Sequence, residues 1–157
     1  MSPTTEVLFK LLRIALGNEK DFSLPLSVNW KEVIDLSFEQ GVAAIAVDGL
    51  QRLYDAVEGS SSSNASLGSS GSSSLVSSLS TLDSPELEDL KYEWFGEVMN
   101  AEQDYEAHRS AISHLVHFYE SQGVKMMLLK GYGLSLNYPI PSHRPVGDID
   151  IYLLDER

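Results

Sequence analysis

Two aspartates spaced two apart, Asp148 and Asp150, stand in the run Gly147-Asp148-Ile149-Asp150-Ile151. The β-branched neighbours predict a strand over residues 148–154, and a strand sends successive side chains to opposite faces. The two carboxylates then share one face, while Ile149, Ile151 and Leu153 point to a core on the other. Two hard oxygen donors side by side on a rigid support suit Mg²⁺, or Mn²⁺ in its place. Lys125, Lys130, His143 and Arg144 cluster around the acidic pair in sequence and make a local basic site.

Composition narrows the chemistry. A formal charge of -12 argues against a broad electrostatic grip on nucleic acid. Cysteine is absent, which excludes disulfides and thiolate zinc sites and fits a reducing compartment. Lys10 and Arg13 interrupt the apolar stretch near the N-terminus, so it does not read as a signal peptide, and no run is long enough to span a membrane. These features together point to the cytoplasm. His114 and His117 lie three apart, a spacing that permits metal binding, but with no third ligand they read as a solvated or partner-facing pair. His143 reads as an idle loop histidine.

The elements that must position the acidic pair follow from periodicity. Apolar residues at helical spacing predict helices over 4–16, 30–40 and 42–57. Trp30, Val33, Ile34 and Phe38 form the core stripe of the second, and Asn29 caps it. Residues 59–80 are dominated by serine, with glycine and no charge, and predict a disordered insertion. Ser84-Pro85-Glu86 restarts order with an N-cap, a first-turn proline and an early acid. A long helix follows to residue 122, with a kink or break expected near Gly96. Residues 124–129 predict a short apolar strand, 132–137 a short helix, and 138–146, with three prolines, a loop. The resulting division is a helical region over 1–58, a disordered linker over 59–83, a long helix over 84–123 and a small αβ part over 124–157.

The order strand, Leu128-Leu129-Lys130-Gly131, short helix, Tyr138-Pro139, Arg144, Gly147-Asp148-Ile149-Asp150 resembles the DNA polymerase β-like nucleotidyltransferase superfamily, and most nearly its bacterial uncharacterised nucleotidyltransferase family. Tyr132 departs from the pattern, standing where the superfamily has a small residue. The resemblance implies an α+β fold in which a helical region leads into the first strands of a nucleotidyltransferase palm. It implies Mg²⁺-dependent transfer of a nucleotidyl group from an NTP to an acceptor hydroxyl. Asp148 and Asp150 would be the metal-binding catalytic carboxylates. Gly131 would let the triphosphate approach the backbone, with Lys130 and Arg144 neutralising its charge. The superfamily draws a third carboxylate from a later strand. Its absence here implies a truncated palm, completed by a protein partner or reduced to a catalytically inactive module that binds nucleotide or protein.

Overall fold

The structure is a computed structural model that describes residues 2–62 and 69–154. Two compact units divide it, Met1–Glu97 and Val98–Arg157. The class is α+β: helices predominate, with one two-stranded antiparallel sheet among the described residues.

The first unit holds α1 (Pro3–Ala15), α2 (Trp30–Glu39), α3 (Ala43–Ser62), α4 (Ser69–Leu82) and the start of α5 (Glu88–Ser121). Ser2 opens α1 by accepting the Thr5 amide at 3.2 Å, with Pro3 in the first turn. Asn29 opens α2 by accepting the Glu32 amide at 3.4 Å. The core joins Val7, Leu8, Leu11 and Ile14 of α1 to Trp30, Val33 and Ile34 of α2 and Leu50 and Leu53 of α3. Burying each large apolar side chain is worth about 1.5–3 kcal/mol. Helices α1 and α3 meet at Gly49, where a Cβ would fall 2.1 Å from the Leu11 carbonyl oxygen. Only a residue with no side chain fits that crossing.

Two expectations fail in this unit. Phe38 is 37% exposed, and the buried position on that face of α2 is Ser37, whose hydroxyl donates to the Ile34 carbonyl at 2.7 Å. That local bond satisfies the hydroxyl inside the core. The disordered linker expected over 59–83 is helical at both ends: α3 runs on to Ser62, and α4 occupies Ser69–Leu82. Residues 63–68 lie outside the described residues. Composition misleads here because a few apolar side chains suffice. Leu79 and Leu82 are buried, and the Trp30 indole N–H donates to the Ser78 carbonyl at 2.8 Å.

The second unit holds the rest of α5, then β1 (Lys125–Leu129), α6 (Gly131–Ser135) and β2 (Asp150–Leu154). A three-residue 3₁₀ turn, Pro141–His143, interrupts the loop between α6 and β2. The long helix α5 passes through Gly96 as one element, so the expected break there is absent. The strands pair antiparallel with Lys125 opposite Leu154, Leu128 opposite Ile151 and Leu129 opposite Asp150. Residues directly opposite share a face. Met126, Leu128, Ile151 and Leu153 therefore lie on one face, and Asp150 lies on the other with Met127 and Tyr152.

Candidate functional site

Strand β1 ends where its backbone leaves the extended region. Lys130 has φ 53° and ψ −144°, and among the described residues it alone of the non-glycine residues has positive φ. Gly131 follows at φ 32° and opens α6. Such a conformation costs a side-chain-bearing residue about 1–3 kcal/mol. It turns the chain sharply beside β2, because Leu129 is already paired with Asp150. The ladder can go no further, so β2 begins at Asp150 and not at residue 148 as periodicity suggested. Asp148 and Ile149 lie just before the strand.

The turn and the acidic run are therefore side by side. The Lys130 ammonium lies 3.4 Å from Asp150 Oδ2. A Cβ on Gly131 would stand 3.4 Å from the Asp148 carbonyl oxygen, which brings the two backbones into contact range. Asp148 is exposed and Asp150 half-exposed. Both line a cavity of about 10 Å³ with His108, Ile112, Leu128 and Tyr132, room for about one water molecule. Arg144 reaches the same turn: its Nη1 donates to the Gly131 carbonyl at 3.0 Å and to the Pro145 carbonyl at 3.1 Å. Its guanidinium carbon sits 5.8 Å from the centre of the Tyr138 ring. Among the described residues no hydrogen bond uses its Nη2 or Nε. All five residues picked out by type and spacing, Lys130, Gly131, Arg144, Asp148 and Asp150, thus gather around one turn.

His143 does not behave as an idle loop residue. It is buried, with Nε2 3.3 Å from Glu102 Oε1. His117 lies 4.0 Å from Glu120 on the surface of α5, in keeping with a solvated role. Three residues of α5 that sequence reasoning passed over touch the site. Glu102 meets His143. Tyr105 stacks on Tyr132 with ring centres 4.9 Å apart, and the Ser135 hydroxyl donates to its oxygen at 3.4 Å. The hydrogen bond to Tyr105, then burial, raises the Tyr132 phenol above its ordinary value. His108 Nε2 meets the Gly147 carbonyl. A signal for them exists in the sequence. The apolar stripe of the long helix stops at Val98 and Met99 and resumes at Ala111 and Ile112, and Glu102, Tyr105 and His108 continue its three- and four-residue spacing through the gap.

No curated protein and no solved structure matches the chain. The family described as uncharacterised nucleotidyltransferase matches residues 27–157. That span takes in α2 through β2 as well as the turn and the acidic run. The chain belongs to the uncharacterised nucleotidyltransferase family.

Proposed function

We propose that this protein transfers a nucleotidyl group from an NTP to an acceptor hydroxyl in a Mg²⁺-dependent reaction, with Asp148 and Asp150 as the metal-binding carboxylates. One observation carries the reading: the register that pairs Leu129 with Asp150 sets the Lys130-Gly131 turn against the acidic run. Phosphate-binding and metal-binding groups are thereby neighbours, as a metal–triphosphate complex requires. The donor set fits the ion. Mg²⁺ keeps several waters and is commonly held by one or two carboxylates together with substrate phosphates. Here both carboxylates reach solvent, and among the described residues Asp150 is engaged only by the exposed Lys130 ammonium at 3.4 Å. When bound, the ion neutralises triphosphate charge and stabilises the attacking and leaving oxygens.

The residues of the chain supply the rest. Lys130 meets phosphate oxygens as a point charge, and the Nε–Nη2 edge of Arg144 meets them as a fork. The absent Gly131 side chain leaves the backbone open to the triphosphate. The acceptor oxygen bonds to the α-phosphorus, the bond from that phosphorus to the bridging oxygen breaks, and pyrophosphate leaves with the electron pair. The hydroxyl proton passes to solvent. A reaction that consumes NTP is in keeping with the cytoplasmic location expected from the sequence.

The Lys130–Asp150 pair favours a second reading, a module that binds nucleotide without turnover, because a lysine on a metal ligand competes with the ion. Incubation with each α-labelled NTP, Mg²⁺ or Mn²⁺, and protein, RNA and small-molecule hydroxyl acceptors separates the two. Labelled acceptor with the wild type, reduced more than about 100-fold in Asp150→Asn, supports transfer. NTP binding without labelled product supports the module.

A further inference from the structure

Loop 136–149 carries Asp148, yet little regular structure holds it. Among the described residues its one element is the three-residue turn Pro141–His143, and the ladder begins only at Asp150. Three contacts from α5 tie it and the preceding helix down, and they come from residues three apart. Glu102 holds His143 in the middle of the loop. Tyr105 holds Tyr132 and Ser135 of α6. His108 holds the Gly147 carbonyl, on the peptide that leads directly into Asp148. The other ring nitrogen, Nδ1, lies 2.9 Å from the Asp104 carbonyl one turn earlier, and the tautomer that donates from Nε2 to Gly147 leaves Nδ1 without a proton to share. Residues at this spacing project from one side of a helix.

We infer that Glu102, Tyr105 and His108 form a positioning rail on α5, and that His108 is the positioning residue for Asp148. The inference rests on the assignment of Asp148 as a metal-binding carboxylate and adds the group that aims it. His108 does not touch the reacting atoms. It acts through the Gly147–Asp148 peptide: with that carbonyl held, the Asp148 side chain starts from a fixed backbone and needs only its own rotamer to reach the ion. Without the bond, the nearest anchor on the N-terminal side of Asp148 is Arg144, bonded to the Gly131 carbonyl, and metal affinity falls because the ligand must be ordered on binding. Among the described residues no hydrogen bond joins His108 to Lys130 or Arg144.

Three substitutions at one position test this. His108→Phe keeps the ring and loses the donor, His108→Ala removes both, and His108→Gln keeps a donor. Each is measured by thermal unfolding, by hydrogen–deuterium exchange of the peptide covering 145–150, and by Mn²⁺ titration monitored by electron paramagnetic resonance. The expected result for Phe and Ala is faster exchange confined to 145–150 and Mn²⁺ affinity weakened about tenfold, with the unfolding midpoint nearly unchanged. Gln restores most of both. If Ala fails to fold, Phe against Gln still decides. Unchanged exchange in Phe, or Gln no better than Phe, overturns the role of His108. Equal Mn²⁺ binding by the wild type and Asp148→Asn overturns the metal assignment, while the exchange measurement still reports whether His108 holds the loop.

Discussion

At the scale of single residues, Lys130 carries two burdens that pull apart. Its side chain faces Asp150, and its backbone occupies a region in which L side chains are crowded. Backbone strain of this kind persists where the surroundings enforce it. Here the enforcement comes from the ladder on one side and α6 on the other. Lys130→Gly should therefore stabilise the fold by about 0.5–1 kcal/mol while weakening NTP binding. Chemical denaturation and NTP titration on the same protein check both halves, and the opposite signs distinguish strain relief from general damage. Lys130→Ala, by contrast, should lose NTP affinity without gaining stability. Arg144 differs in kind. Its Nη1 supports the Gly131 carbonyl, so Arg144→Ala should lower both stability and NTP affinity. Arg144→Lys should recover little of either, because a single ammonium cannot serve the carbonyls and a phosphate together.

At the scale of elements, the first unit depends on close helix contact. Gly49→Ala forces a methyl group against the Leu11 backbone, which cannot move aside as a side chain would. Overpacking of this kind costs about 1–3 kcal/mol or more, and a fall in denaturant midpoint is the expected result. Helix α4 is held by Leu79, Leu82 and the Trp30–Ser78 bond. Leu82→Ala should cost about 2–5 kcal/mol, which a loosely attached serine-rich segment would not. Tyr54 of α3 adds a pH dependence. Burial, then the negative charge of Asp83 beside it, pushes its phenol up to about 12. The folded state holds the proton more tightly than the unfolded chain. The associated stability is therefore complete below pH 10 and is lost as pH rises from 10 toward 12. Urea titrations across that range should show a steeper alkaline decline in the wild type than in Tyr54→Phe.

These elements also show what could be read from the sequence and what could not. Amphipathic spacing located α1, α2 and α3, and the residues singled out by their order, Lys130, Gly131, Arg144, Asp148 and Asp150, lie around one turn. Ser37 in place of Phe38 turns on a hydroxyl satisfied by the Ile34 carbonyl, which an apolar stripe does not reveal, and α4 in place of a disordered stretch depends on a contact 48 residues distant, Trp30 with Ser78. The start of β2 depends on where β1 turns away at Lys130, which a single strand's alternation does not record. The polar residues of α5 were hidden for another reason. Glu102, Tyr105 and His108 look like a solvated face until the loop that they hold is in place.

At the scale of the whole molecule, the formal charge of -12 opposes a polyanionic ligand. Among the described residues no helix is long and apolar enough to cross a membrane. On the proposed function, a protein with this charge would need local cations and a divalent ion to bring a triphosphate to its carboxylates. Without a divalent ion, NTP binding should be weak and should improve as added salt screens the repulsion. The central claim is that Asp148 and Asp150 link a divalent ion to the triphosphate. It is tested most directly by calorimetric NTP titration with and without Mn²⁺, for the wild type and for the Asp148→Asn/Asp150→Asn double variant. The account predicts that Mn²⁺ tightens wild-type binding by at least about tenfold and leaves the double variant nearly unchanged. A Mn²⁺-independent affinity in the wild type, or an equal gain in the double variant, would contradict it.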